Sequence, residues 1–477
     1  MVLKPYTIYR ECEPPLLGHI PWLTRLPDHW QVVPSKRLFV PRKERAREDD
    51  IQLSATQAYG VIPQAEFERL VGRKVVRITH NLEKRAHVEP DDFVISMRSF
   101  QGGLERAWAR GCIRSSYVVL EPTSDIHVGY FAHLFKCADY ISALQATSNF
   151  IRDGQDLNFG NFSLVDLPLP PMQEQEKIAR FLDWESSRLE KFIRNKRRLI
   201  ELLKEQKQNI INQAVTRGLD PNVKLKPSGV EWIEHIPAHW EATKLKRVVR
   251  FNPSKSETGA SQDDEGPVVF LPMERISVNG EVDCTERRPV SEVWDGFTYF
   301  RRGDVVLAKI TPCFENGKGA CLKTLKTEFG FGTTELIVLR PSKSIKGEFL
   351  RFLTSTKQFL QVGEQFMTGA AGQQRIPSDF VKEYPIGLPP VNEQQEILDH
   401  IRKKSGEIDQ AITRAEPEIE LIREYRTRLI SDVVTGQVDV RGIEVPEVTE
   451  EELQALDNAP EAAEELVDDE AAAEVAQ

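Results

Sequence analysis

The sequence predicts a mixed α/β protein in which two globular domains are separated by two long antiparallel coiled-coil helices, the whole built on a pseudo-two-fold internal repeat. Three observations lead there. A chain of 477 residues has room for two to four domains. Landmarks recur along it at a nearly constant offset. Two stretches, one of them without Gly or Pro, carry apolar residues at heptad spacing.

Composition sets the class. With 40% hydrophobic residues and 23 Phe the chain can bury real cores, which excludes a wholly disordered protein. The net charge of −10 misleads, because 13 acidic residues and no Lys or Arg lie between Glu444 and Gln477. Residues 1–443 then hold 60 acidic against 63 basic groups, a net of +3. A polyanionic partner therefore fits despite a pI near 5.6. No apolar run approaches the ~18 residues of a membrane span, and the first 18 residues lack the apolar block of a secretory signal. Six dispersed cysteines without a C-x-x-C pair predict a reduced, cytoplasmic protein. No metal site is expected: His235 and His239 sit four apart, but Pro237 between them argues against a helical ligand face.

The repeat fixes the domain order. A shift of 219 carries Pro170-Pro171 onto Pro389-Pro390, Glu174-Gln175 onto Glu393-Gln394, and Val215-Thr216 onto Val434-Thr435. It also carries the strand-like run Val118, Val119, Leu120 onto Ile337, Val338, Leu339. Near the start of each half the shift is 210, and Trp22, Pro27, His29 and Trp30 fall on Trp232, Pro237, His239 and Trp240. The predicted order is an N-terminal arm (1–18), a first globule (19–171), a first helical spacer (172–218), a linker with the second globule (219–390), a second spacer (391–442), and an acidic disordered tail (443–477). Within the globules, 92–96 and 304–308 read as short buried strands after a turn, and 347–359 as a helix.

In the first spacer one heptad row runs Leu182, Leu189, Lys196, Leu203, Ile210, and the other Ile178, Glu185, Phe192, Leu199, Gln206. Their counterparts are Ile401, Ile408, Ala415, Ile422, Leu429, and Ile397, Lys404, Ala411, Glu418, Tyr425. Such stripes predict a coiled coil. The expected seam is Leu182, Leu189, Phe192, Leu199, Leu203 and Ile210 against Ile401, Ile408, Ile422, Tyr425 and Leu429. Pro417 should kink or interrupt the second helix. A helix leaving globule one for globule two, and another returning along it, must run antiparallel. That order predicts two globules held apart about an approximate two-fold axis, a symmetry matching a duplex read as two half-sites.

These landmarks resemble the specificity subunit of type I restriction–modification systems, up to about Gly442. The resemblance rests on P-P-x-x-E-Q at 170–175 and 389–394, A-V-T-R-G-L-D at 214–220, V-V-T-G-Q-V-D-V-R-G at 433–442, and S-G-V-E-W…I-P-x-H-W at 228–240. It implies that the globules are target recognition domains for double-stranded DNA. It implies that the helical regions dock two methyltransferase (modification) subunits, joined by restriction subunits where cleavage is added. Because the globules differ, the implied target is bipartite and asymmetric. No cofactor is expected in this chain. S-adenosylmethionine, and ATP with magnesium for restriction, are implied for the partner subunits.

Candidate DNA contacts cluster where glycine-rich turns carry basic or amide side chains, since Gly allows close approach, Lys neutralises phosphate, and Arg, Gln, Asn or Thr address base edges. In the first globule these are Arg98, Ser99 and Gln101. In the second they are Lys309, Thr311, Asn316 and Lys318. A further pair of segments before each helix supplies Gln155 and Asn158, and Gln373, Gln374 and Arg375; their repetition favours backbone positioning over base reading. Trp30 and Trp240, held equal between the halves, are expected to pack rather than stack on bases. A mid-helix cluster of Arg194, Lys196, Arg197 and Arg198 reads as a solvated face. Catalytic motifs are missing: Asn252-Pro253-Ser254 is no adenine-methylation motif, and neither a G-x-x-x-x-G-K-[ST] nor a G-x-G-x-x-G turn is present. The chain is therefore expected to read DNA without catalysing. The alternative is a coiled-coil protein–protein adaptor that never touches DNA.

Overall fold

The computed structural model describes residues 3–12, 19–72, 74–75, 82–123, 126–147, 158–229, 233–370 and 372–446. The acidic tail from 447 onward, Trp232 and Gln155 lie outside them. Two units emerge: unit 1 takes Met1–Arg197 and Glu416–Gln477, and unit 2 takes Arg198–Ala415.

In unit 1, strands β1 (Phe39–Pro41), β2 (Phe93–Ile95), β3 (Glu105–Arg106) and β4 (Val118–Pro122) form an antiparallel sheet in the order β1-β4-β2-β3, with Val94 opposite Val119. So short an apolar strand needs both faces covered. Phe93 and Ile95 enter a core with Phe39, Phe131, Phe135 and Phe162. Val94 turns the other way, to Val61, Val88 and Val119. Asp92, at the strand's start, accepts from Arg42 Nε at 2.7 Å and Nη2 at 3.0 Å. The N-terminal arm belongs to this unit and is no separate element. Tyr9–Glu11 pairs with Arg25–Pro27, Tyr6 is buried, and the Asp439 N–H donates to the Lys4 carbonyl at 2.8 Å.

Unit 2 repeats the plan. Strands β5 (Val249–Phe251), β6 (Val305–Ala308), β7 (Gly319–Cys321) and β8 (Leu336–Pro341) run in the order β5-β8-β6-β7, all antiparallel. Asp304 accepts two bonds of 2.7 Å from Arg340, as Asp92 does from Arg42. Unit 2 adds a second four-stranded sheet in which Pro267–Leu271 and Phe329–Gly332 pair in parallel. Among the described residues, unit 1 has two-stranded ribbons there (Leu53–Thr56 with Gly60–Pro63, Ala86–Val88 with Gly111–Ile113). The helix expected over 347–359 is divided into Gly347–Leu353 and Lys357–Phe366, because the Thr356 hydroxyl caps a fresh N-terminus by accepting from the Phe359 N–H at 3.2 Å.

The two long helices are α1 (Met172–Arg217) and α2 (Val391–Val434). Each stops before a left-handed glycine, Gly218 (φ 77°) and Gly436 (φ 72°), which explains the shared closing motif. The second spacer's last residues are not helical. Within unit 1, Lys196 meets Glu418 at 2.5 Å and Arg426 meets Glu190 at 2.9 Å, so the helices pair antiparallel there. Within unit 2, Lys207 joins Asp409 at 2.7 Å.

The first heptad row is inward as expected: Leu182, Ile401, Ile408, Ala415 and Leu429 are buried, and Leu189, Leu203, Ile210 and Ile422 half-buried. The second row keeps its phase at Ile178, Glu185 and Ile397, which are buried, and then slips by one residue along the helices. Phe192, Leu199 and Tyr425 are 48%, 45% and 45% exposed, while Ile193, Ile200 and Ile419 are buried. Adjacent apolar pairs (Phe192-Ile193, Leu199-Ile200) satisfy either phase in sequence, and only packing selects one. Pro417 does not interrupt α2. It and Thr413, whose carbonyl would otherwise receive its N–H, are both exposed, so water can take that acceptor.

Candidate nucleic-acid interface

The residues shared between the halves build the frame. Trp30 and Trp240 are each 1% exposed and so pack, as expected. Trp30 Nε1 donates to Glu174 at 3.1 Å and Trp240 Nε1 to Glu393 at 3.0 Å. His29 and His239 lie 2.8 Å from the same two carboxylates. The neighbouring glutamine bridges backbone: Gln175 donates to the Pro170 carbonyl and accepts from the His127 N–H, both at 2.8 Å. Gln394 does the same to Pro389 (2.9 Å) and Lys346 (2.8 Å). P-P-x-x-E-Q is thus a joint that fastens each globule to the start of its helix.

Unlike turns follow equivalent strands. After β2, the turn at 97–103 exposes Met97 and Gln101, with Arg98 half-buried. Ser99 is a correction. It is wholly buried, and its hydroxyl accepts from the Ser96 N–H at 2.9 Å, so it holds the turn instead of offering itself to DNA. Side chains that the sequence reading missed tie this turn down. Gln57 Nε2 donates to the Arg98 carbonyl (3.3 Å), Gln145 Nε2 to that of Phe100 (2.6 Å), and Lys136 Nζ to that of Gly102 (2.9 Å). Nothing local in sequence marks them, because they lie 34 to 45 residues away.

Lys136 also pairs with Glu105 at 2.6 Å. Glu105 is 2% exposed, and burial pushes its carboxyl up to about 7. The folded chain then keeps this proton to near pH 7, whereas the unfolded chain releases it near 4.5. The stability this provides is full below pH 4.5 and is lost as pH rises through 7, by about 3 kcal/mol at one pH unit per 1.4 kcal/mol. Urea melts of wild type and Glu105→Gln between pH 4.5 and 8 should show the variant gaining on wild type as pH rises. A constant difference would refute the assignment.

After β6, the loop at 309–319 meets the segment at 372–376, so two candidate groups lie together. Ile310 bridges Arg375, the Thr311 N–H donates to the Gln374 carbonyl at 3.0 Å, and the Gln374 N–H donates to Thr311 Oγ1 at 3.1 Å. Asn316 and Gln373 are exposed, and Lys309, Lys318, Thr311 and Gln374 half-buried. Arg375 is not a lone cation. Its guanidinium grips Glu335 through Nη2 at 2.8 Å and Nε at 3.0 Å, and this bond holds the Glu335 carboxyl below its ordinary value. In the first globule Asn158 is exposed and caps the helix Phe159–Ser163 by accepting from the Asn161 N–H at 3.2 Å. Gln155 lies outside the described residues. In the mid-helix cluster Arg194 and Arg198 are exposed, with Arg198 paired to Glu201, whereas Lys196 and Arg197 are half-buried and Lys196 bridges to Glu418 of the other helix, so only part of the cluster is a solvated face.

The family model for the type I restriction modification DNA specificity domain matches residues 47–205 and 296–417, more than half of the chain. The chain belongs to this family. The type I restriction enzyme EcoEI specificity subunit of Escherichia coli is 36% identical over 208 residues, 43% of this chain and 34% of that protein. The EcoAI specificity subunit of the same organism is 37% identical over 202 residues, 42% and 33%. The match thus spans about a third of the length of these two relatives. The MjaVIII specificity subunit of Methanocaldococcus jannaschii is 23% identical over 428 residues, covering 88% of this chain and 95% of that one. A solved structure described as the structural basis underlying complex assembly and conformational transition of the type I R-M system aligns with a TM-score of 0.60 at 13% identity, covering 86% of this chain and 99% of that one. That likeness is one of fold. Among the described residues of this family member, no His, Cys, Asp or Glu group could hold a metal, and no helix is long and apolar enough to cross a membrane.

Proposed function

We propose that this family member is the non-catalytic DNA-reading subunit of a type I restriction–modification assembly. Each globule reads one part of a bipartite, asymmetric double-stranded target. The two helices carry two methyltransferase subunits, and restriction subunits where cleavage is added. S-adenosylmethionine, and ATP with magnesium, belong to those partners. The observation that carries the reading is a contrast between like frames and unlike tips. Trp30 with Glu174 and Trp240 with Glu393 are the same joint, while the turns at equivalent strand ends, 97–103 and 309–319, differ in sequence. A duplicated scaffold with divergent exposed turns suits two unlike half-sites. The outward Phe192, Leu199 and Tyr425 suit helical partners, since large exposed apolar side chains mark interaction surfaces.

The test is a mobility shift of the full chain with its methyltransferase partner, comparing a duplex that carries the sequence around the native genome's methylated adenines with a scrambled one. The expected preference is at least ~10³-fold, with affinity falling steeply as salt rises. Equal affinity for both duplexes would favour an adaptor.

A further inference from the structure

The turns singled out above share a feature that the repeat does not encode. Helix Val128–Leu134 and helix Gly347–Leu353 correspond under the 219 shift. Near the end of each lies a Lys or Arg, at positions that do not correspond: Lys136 in unit 1 and Arg351 in unit 2. Both reach into the sheet edge and hold carbonyls of the glycine turn. Lys136 Nζ donates to Gly102 at 2.9 Å. Arg351 donates through Nε to Gly319 at 2.7 Å and through Nη2 to Gly317 at 3.0 Å. The same Nη2 lies 2.9 Å from the Val278 carbonyl, so Arg351 also draws in the loop that exposes Asn279.

Arg351 is an expensive choice for a core. It is 7% exposed, its hydrogen bonds run to carbonyls and to no carboxylate, and its Nη1 is buried with no hydrogen-bond partner. Burial holds its guanidinium down at about 10. A buried charge without a counter-ion is unfavourable for stability and is better understood as fixing one geometry. The glycines leave no slack: a Cβ on Gly103 would lie 1.8 Å from the Phe135 carbonyl oxygen, and one on Gly319 would lie 2.6 Å from that of Val306. Gly103 is pressed against the Phe135 carbonyl and Gly319 against strand β6, and a cation pins each turn.

We infer that Lys136 and Arg351 are positioning residues for sequence reading, each setting the turn of its own globule so that the exposed side chains meet base edges in one register. The inference rests on the proposed DNA-reading function and names what governs discrimination there. Neither residue touches DNA itself. Each acts through Gly102, or through Gly317, Gly319 and Val278. A residue that only stabilised its unit would change affinity for all sequences together; a positioning residue changes base preference.

The experiment selects from a random-sequence double-stranded DNA pool with the full chain assembled with methyltransferase subunits, then sequences the bound fraction. Arg351→Gln should flatten the preference in one part of the two-part motif by about tenfold, the scale of one good base contact. Lys136→Met should flatten the other part, and each should leave the remaining part intact. A motif unchanged in either variant, or flattened equally in both parts, overturns the inference. If a urea melt shows that a variant fails to fold, Arg351→Lys and Lys136→Arg decide. Lysine reaches fewer carbonyls than arginine, so Arg351→Lys should give partial flattening of the same part; an unchanged motif again overturns the idea. Lys136→Arg keeps the pin and should restore the preference. A wild-type assembly that selects no motif strikes the DNA-reading function itself, and is thereby distinguished from failure of the pins alone.

Discussion

Trp240→Ala should destabilise unit 2 by about 3–5 kcal/mol, the usual cost of emptying a buried aromatic site. The indole is 1% exposed and closely walled: a Cβ on Gly387 would lie 2.9 Å from its Cε3, and one on Gly218 3.4 Å from its Cζ2. Its N–H also satisfies Glu393 at 3.0 Å, leaving that carboxylate to His239 alone when the ring is removed. Trp240→Phe keeps most of the apolar burial and loses the donor, so about 1–2 kcal/mol is expected. Leu421→Ala, at a position 63% exposed, should change stability by under ~0.5 kcal/mol. Urea denaturation followed by far-UV circular dichroism orders the three variants. A Trp240→Ala protein within 1 kcal/mol of wild type would show that the joint does not hold the globule.

Exchanging residues 19–171 for the first globule of another family member should move one part of the DNA target and leave the other untouched. With ~1–3 kcal/mol for each mismatched base pair, a three-base-pair part shifts affinity for the old target by about 10²-fold or more. The exchange is feasible only if the incoming globule keeps the contacts that fasten it within unit 1. These are Trp30 and His29 to Glu174, the His127 N–H to Gln175, His133 to Asp183 at 2.8 Å, Tyr130 to the Val434 carbonyl at 2.8 Å, and Asp139 to Ser431. Mapping methylated adenines in cells that carry the exchanged chain reads the outcome. A target altered in both parts, or in neither, would refute one-globule-one-part reading.

Much of the frame was legible because its signals are linear. Glu174-Gln175 and Glu393-Gln394 announce helix starts by recurring in register, and the first helix stops at the predicted place, before the left-handed Gly218, whereas the second stops before Gly436, short of the predicted 442. The site was legible only in outline. Loop 309–319 and segment 372–376 were both singled out, yet their union through Ile310 and Arg375 was not, since some 60 residues of chain separate them. Ser99 was misread because serine serves turns as readily as it serves bases. The sequence cannot say which job the backbone has given it.

The order of parts, the duplication, the two long helices and the joint residues were determined by the sequence itself, because each follows from periodicity or repetition along the chain. Tertiary structure alone decided which of two adjacent apolar positions is buried, placing Ile193 and Ile200 inward where Phe192 and Leu199 were equally good on paper. It also brought Lys136 to Gly102, Arg351 to Gly317 and Gly319, and Glu335 to Arg375. The reason is physical: a heptad states a period but not a phase, and a buried cation finds its carbonyls through packing between elements far apart in the chain.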